Sequence, residues 1–462
     1  MTRAQATTTA CDTPDTLFSM PNKIQAWLDI EVALAHAQAE LGMIPTHAAE
    51  EIARQGKLER LDQQALLNDM AVTRAPIVSL VRFLAAACDG DAGGYVHWGA
   101  TTQNVMQTAQ VLLMRNAHRT LLQHFAGSLE ALATHAEQGA TVVMAGRTQR
   151  RHALPITFGF KVAGWIDEML RHETRFREAE PRVFTLVFGG AVGAWHSFSG
   201  QGEILQRTLA ARLGLGYFAV PSRSVYDHIV EYIMLLALLA STCAKIAQEL
   251  FTLMAEEYGE VYEDLGDAVV GSSTMPQKIN PKLTVHVIAL AARLRAQLNL
   301  ALDASQVSHE GDAASSQMLY AAVDAACPLA LEMMATFEEL LNKLRIVPEA
   351  MKANLALSNG MINAENMMME LARHGLGRQA AHDVVHEAAL TAGRSGRSLH
   401  EVLAQDSKVP TPLLSGQIQL ALEPKNYLGD CVAIAGKQAR RAQAMATELP
   451  AHNKLGTAVK IR

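Results

Sequence analysis

A chain of 462 residues, 49% apolar but only 5% aromatic, is too long for one ordinary core and too rich in Ala, Leu and Met for a sheet protein. A net charge of −6 with no long basic block argues against nucleic acid and anionic membrane surfaces as partners. Five scattered cysteines (Cys11, Cys88, Cys243, Cys327, Cys431), never spaced C-x-x-C, argue against a disulfide framework and fit small buried residues in a reduced cytoplasmic compartment.

The opening MTRAQATTTACDTPD lacks the apolar stretch of a signal peptide and reads as a loose arm. Residues 23–42 carry apolar side chains at helical spacing and stop at Gly42, ahead of Pro45. Helical pattern continues to about Ala87 and breaks at CDGDAGG (88–94). It is nearly continuous over 101–139, then resumes over 155–178, 229–260, 281–302 and, in paired segments, 317–344. The longest apolar run, 232–244, is too short to span a bilayer and reads as a helix buried on all sides. Several runs of roughly 20 residues or more predict a long bundle. Beyond Pro348 the segments shorten. The predicted architecture is all-α, with an N-terminal helical domain (1–98), a central long-helix domain (99–346) and a small C-terminal helical domain (347–462).

Two short motifs carry no chemistry. GLGYFA (214–219) matches G-x-G-x-x-A, but helical sequence precedes it where a dinucleotide fold needs a strand, so no nucleotide cofactor is expected. HDVVH (382–386) puts His382 and His386 one turn apart, with Asp383 in place of the glutamate of H-E-x-x-H and no third ligand in view. A solvated helix face is expected there, without metal.

GSSTMPQKINP (271–281) lies between two long helices. Asn280-Pro281 reads as an N-cap and first helical residue, which would aim the helix's positive end at the loop beside Lys278. Gly271 and Pro276 suit a loop that closes as a lid. Ser272 or Ser273, set among positive groups that stabilise an alkoxide, is a candidate for activation. GATTQNVMQT (99–108) sets Thr101, Thr102 and Gln103 at the start of a long helix. GRTQRRHALPITFG (146–159) brings Arg147, Thr148, Gln149, Arg150, Arg151 and His152 to what reads as a third helix entrance at Pro155. Three entrances rich in hydroxyl, amide and cationic groups suit a small-molecule di- or tricarboxylate.

These stretches give the chain a resemblance to the aspartase/fumarase superfamily, whose signature is GSSxMPxKxNP, over nearly all of residues 16–440. WLDIEVALAHAQAELGMIP (27–45), YVHWGATTQ (95–103), FGGAVG (188–193) and NYLG (426–429) look closest to the branch of 3-carboxy-cis,cis-muconate cycloisomerase and adenylosuccinate lyase. The resemblance implies three helical domains, a 20-helix bundle in a homotetramer, and active sites shared between chains. It also implies a metal-free, cofactor-free anti elimination or addition through an aci-carboxylate. Ser272 would be the base. Lys278 and Asn280 would bind carboxylate, with Thr101, Thr102, Thr148 and Gln149 on the other substrate-binding positions.

The departures bear on the reaction. Adenylosuccinate lyases carry R-T-H-G-Q, where this chain has Gln149; a His-Asp pair, where it has Ala75-Pro76; and Q-R-D-R, where it has Val225-Tyr226-Asp227-His228. Asn104 replaces the aspartate of T-S-x-D. An AMP-bearing substrate is therefore disfavoured. An alkylamine is already protonated at neutral pH and leaves without a strong general acid, which favours carbon–nitrogen cleavage of an N-substituted aspartate to give fumarate. The alternatives are a lactonising muconate cycloisomerase, with His152 or His309 as proton donor, an adenylosuccinate lyase, and a crystallin-like structural protein.

Overall fold

In the computed structural model, residues 14–454 are described, apart from 267–268, 411–412 and 414. Residues 1–13 of the predicted arm, with Cys11, lie outside them, and its last two residues begin a helix. Five helices open the described chain: α1 (Pro14–Leu17), α2 (Met20–Glu40), α3 (Thr46–Gln55), α4 (Gln63–Thr73) and α5 (Pro76–Ala87). Ile24, Trp27, Leu28, Ile30, Ile52, Leu80 and Leu84 make their common core.

The bundle follows. Helix α6 (Thr102–Gln138) leads into a hairpin of β1 (Val143–Thr148) and β2 (Arg151–Thr157), then α7 (Phe158–Val183). A two-residue strand β3 (Thr185–Leu186), the short α8 (Gly202–Leu213) and β4 (Gly216–Tyr217) precede α9 (Asp227–Leu253). After β5 (Val261–Glu263) come α10 (Leu283–Ala304), α11 (Ala313–Lys343) and β6 (Leu344–Ile346), which pairs antiparallel with β5. The predicted pair of segments over 317–344 is one helix that holds Pro328 in its interior.

Side chains such as Phe125, Phe158, Ile233, Leu236, Leu290 and Phe337 fill the bundle core. Truncating one leucine there costs about 2–5 kcal/mol. The third cluster, with Met367, Leu371, Leu399 and Leu403, is built from α13 (Ala364–Leu371), α14 (Arg378–Ser395), α15 (Leu399–Leu403) and α16 (Ser415–Leu422), after α12 (Pro348–Ala356). The last helix, α17 (Cys431–Lys454), returns to pack on α6 and α7, where Ala439, Ala442 and Leu449 join the bundle core.

Two expectations change. By length and composition α9, α10 and α11 could each cross a membrane, unlike the short run read from sequence, yet 67% of the α9 window and 56% of the α11 window are buried within the chain. Nor is α9 covered on all sides, because Met234 and Leu238 are 47% and 45% exposed. Only 28% of the α10 window is buried, so one apolar flank of the bundle is left open.

Candidate active site

The N-terminal end of α6 gathers one set of predicted residues. Thr101 caps the helix: its N–H donates to Asn104 Oδ1 (3.2 Å), and the Asn104 N–H to the Thr101 carbonyl (2.9 Å). Asn104 is buried and donates through Nδ2 to the Val187 carbonyl (3.3 Å), which ties the helix start to the FGGAVG stretch. Gly99 turns the chain into the helix at φ +71°, and a Cβ there would lie 2.4 Å from the Phe198 ring, so only glycine fits.

Gln103 is buried and locked in place. Its Nε2 donates to the Arg223 carbonyl (2.7 Å), and its Oε1 accepts from Arg223 Nε (2.7 Å). Tyr226 lies against the same amide (3.2 Å) and bonds Ser316 Oγ (2.7 Å). The Gln103 amide is thus engaged by Arg223, Tyr226 and Gln107, while Thr101 and Thr102 remain half-exposed. His309 is exposed at φ +52°, an uncommon conformation for a side-chain-bearing residue, two positions before Gly311, which packs on Arg223. His309 thus belongs to this end.

The second set lies elsewhere. The stretch read as a helix entrance is the tip of the β1–β2 hairpin, with Gln149 and Arg150 at φ +51° and +62° forming its two-residue turn. Pro155 sits in β2 opposite Ala145, next to a register shift between Ala145 and Arg147 that accommodates its missing N–H. Helix α7 starts only at Phe158, capped by Thr157 Oγ1 accepting from the Phe160 N–H (3.1 Å). Thr148 and Gln149 are exposed at the tip. Arg147 instead points at the protein: it makes two bonds to the buried Glu260 carboxylate (2.6 and 3.1 Å) and lies 4.9 Å over the Tyr258 ring. His152 pairs with Arg147 across the strands. Burial, then the Arg147 charge, lowers its pKa, which disfavours the imidazolium form.

The signature loop is anchored at this same end. Helix α10 begins at Leu283, not Pro281, and Asn280 is not its cap. Glu263 of β5 takes that role, accepting from the N–H groups of Lys282 (2.7 Å), Leu283 (3.1 Å) and Thr284 (2.8 Å). A full carboxylate outcompetes a neutral asparagine at a positive helix end, and it occupies three of the amides that a substrate anion would need. Asn280 instead lines a cavity of about 300 Å³ with Glu263, Asp264, Ile279 and Pro281.

Within the loop the chain closes on itself, the Ser272 N–H donating to the Lys278 carbonyl (2.9 Å) and the Lys278 N–H to the Met275 carbonyl (2.9 Å). A Cβ on Gly271 would lie 2.4 Å from the Lys278 oxygen, which makes this glycine compulsory. Ser272 Oγ accepts from the N–H groups of Met275 (3.2 Å) and Thr274 (3.3 Å). Two amides aimed at one hydroxyl oxygen favour negative charge on it. Ser272 is half-buried, while Ser273 and Lys278 are exposed; Lys278 has no carboxylate partner among the described residues.

One chain cannot bring both sets together. Helix α6 has 37 residues, about 55 Å at 1.5 Å per residue, and separates Thr101 from the hairpin. Helix α9, with 27 residues or about 40 Å, separates Tyr226 from Glu260. Sequence reasoning missed Arg223, Glu260 and Glu263. Their roles rest on tertiary contacts, and no local motif marks them.

A family profile described as Lyase matches residues 8–295, and one described as Adenylosuccinate lyase C-terminus matches 360–437. The chain belongs to the aspartase/fumarase superfamily. It is 35% identical to an adenylosuccinate lyase of Methanothermobacter thermautotrophicus over 89% of this chain and 92% of that protein. It is 34% identical to an N-acetyl-S-(2-succino)cysteine lyase of Enterococcus italicus, covering 88% and 90%. The solved beta-carboxy-cis,cis-muconate cycloisomerase of Acinetobacter calcoaceticus superposes with a TM-score of 0.85 at 29% identity, covering 93% and 97%. These superfamily members are named for different reactions, so membership makes the chain a lyase-superfamily enzyme without choosing among them.

In the same frame the dismissed motifs have structural places. Gly214 is the left-handed C-cap of α8 (φ +65°). His382 and His386 stack on the exposed face of α14 with ring centres 6.0 Å apart, and His382 bonds Asp383 (3.2 Å).

Proposed function

We propose that the protein cleaves the carbon–nitrogen bond of an N-substituted aspartate by anti elimination, releasing fumarate and an amine. The observation that carries this reading is Ser272 Oγ, held by the Thr274 and Met275 amides in a loop that also bears Lys278. Ser272 gives its hydroxyl proton to solvent, and the resulting oxyanion takes the proton from the carbon beside one carboxylate. The electron pair passes onto that carboxylate as an aci form and returns to expel the amine, while Lys278, Asn280, Thr101 and Thr102 bind the carboxylates. Donors that bind the aci form more tightly than the ground state lower the barrier. The lowered pKa of His152 disfavours an imidazolium donor, which fits a leaving group that brings its own proton, as an ammonium does.

Assembly belongs to the same proposal. Residues about 40–55 Å apart in one chain form one site only if other copies supply the missing set. The open apolar flank, with Met234, Leu238, Val285 and Leu302 all more than 40% exposed, is a surface for other copies of this chain to cover, and a homotetramer would do so.

A muconate cycloisomerase is the second reading, supported by the likeness to the Acinetobacter enzyme. The test is to incubate the protein with a panel of N-substituted aspartates and, separately, with 3-carboxy-cis,cis-muconate, following fumarate and lactone. Fumarate should form, and Ser272→Ala should slow it about a thousandfold or more. Rapid lactone formation with no fumarate from any aspartate establishes the second reading. Near-normal turnover in Ser272→Ala removes the base assignment.

A further inference from the structure

Among the described residues, Arg223 is a half-buried arginine without a carboxylate partner, at the end of the bundle that carries Thr101, Thr102 and His309. Its placement is tightly determined. Nε donates to Gln103 Oε1, and Nη1 donates to the Ala191 carbonyl of the FGGAVG stretch. Gly311 flanks the guanidinium so closely that a Cβ there would lie 3.3 Å from Cζ and Nη2. No described residue accepts from Nη2. Asp312, close in sequence to that contact, is engaged as the cap of α11, accepting from the Ala314 N–H (2.8 Å). A purely structural role would need only the two bonds already made, which a neutral glutamine could partly supply. An unneutralised guanidinium, held by a buried glutamine and a glycine-lined gap, is built to meet an anion that the chain does not provide.

Fumarate carries two carboxylates, and Lys278, Asn280, Thr101 and Thr102 already answer to them. We infer that Arg223 is a specificity-determining residue that binds a third oxyanion, carried by the leaving half of the substrate. The amine released would then be an acidic one, bearing a carboxylate or a phosphate. This rests on the lyase reading above, which assigns the fumarate half to the other residues.

The test uses the full-length protein and two readouts. In calorimetry, tricarballylate, with three carboxylates, should bind at least about tenfold more tightly than succinate, the scale of one charge-assisted bond. Arg223→Gln should remove most of that ratio, and Arg223→Lys should keep part of it. Gly311→Ala, which crowds the guanidinium while leaving its charge, should reduce the ratio too and guards against a misfolded Arg223 variant. In turnover, N-(2-carboxyethyl)aspartate should exceed its neutral isostere N-(2-carbamoylethyl)aspartate in kcat/KM by a similar factor, lost mainly through KM in Arg223→Gln. Adenylosuccinate as a third substrate separates a phosphate from a carboxylate as the preferred anion. Equal binding of tricarballylate and succinate, no binding of either, or an unchanged ratio in Arg223→Gln overturns the inference. If Ser272→Ala is inactive in that case, the lyase reading survives. If the ratio falls while Ser272→Ala stays active, the anion subsite stands and the lyase assignment of Ser272 fails.

Discussion

Arg147 and Glu260 form a doubly bonded ion pair that joins the hairpin to the segment entering the signature loop, with the Glu260 side chain fully buried. Asn354 Nδ2 donates to the same carboxylate (2.8 Å), and the Glu260 carbonyl accepts from the Val347 N–H (2.9 Å). The pair therefore holds three chain segments at one point. The guanidinium of the R-T-Q stretch is thereby anchored to the protein through Glu260.

Removing one partner leaves a buried charge unanswered. Glu260→Ala and Arg147→Ala should each cost about 3–5 kcal/mol in denaturant unfolding. The double substitution Arg147→Met with Glu260→Leu should cost clearly less than either. A loss below about 1 kcal/mol in the single variants would show that the pair is not the fastener of this end.

The helices were largely legible because long apolar periodicity has one simple solution. The start of α6 at Thr101 and Thr102 was legible for the same reason, whereas the bond from the Thr101 N–H to Asn104 that ties it down was not. Pro155 misled because an isolated proline before apolar residues suits a helix start as well as an edge strand, and the pairing partner, Ala145, is set by the hairpin turn. Asn280-Pro281 misled because Glu263, 17 residues earlier, wins the helix end by contact in three dimensions. Ser272, Lys278 and Gly271 were legible as a motif. The Oγ-to-amide geometry that gives Ser272 its meaning was not.

The Glu263 cap is directly testable. Glu263→Ala removes the acceptor for three successive amides and should destabilise the protein by about 1–2 kcal/mol, the usual cost of losing a cap. Amide exchange at Lys282, Leu283 and Thr284 should accelerate more than exchange in the middle of α10. Unchanged exchange at these three amides would contradict the cap.

Acid should weaken the fold through two buried histidines. Among the described residues His228 has neither ring nitrogen bonded and packs on Phe218 at 5.0 Å, and His172 bonds Thr242 (2.8 Å). Burial lowers each pKa to about 4. Between that value and about 6.5 the unfolded chain takes up protons that the native protein refuses. Stability is thus complete above about pH 6.5 and falls toward pH 4, by on the order of 3 kcal/mol per histidine. His228→Phe should remove about one proton from the slope of unfolding free energy against pH. An unchanged slope would show that this ring is not buried neutral in solution.

Sharing of sites between copies gives the sharpest test of the assembly. Ser272→Ala disables the signature loop at one end of the chain, and Thr102→Val disables the helix start at the other. If each site takes these ends from different chains, a mixed oligomer contains some sites with both defects and some with neither. Two inactive preparations, unfolded together and refolded, should therefore regain a fraction of wild-type turnover, whereas each refolded alone stays inactive. Sedimentation of the wild type should show an oligomer, because a lone chain would leave the α9–α10 flank in water. A stable monomer at micromolar concentration, or no recovery from a mixture shown by mass to have exchanged subunits, would mean that the loop and Thr102 do not serve one site across chains.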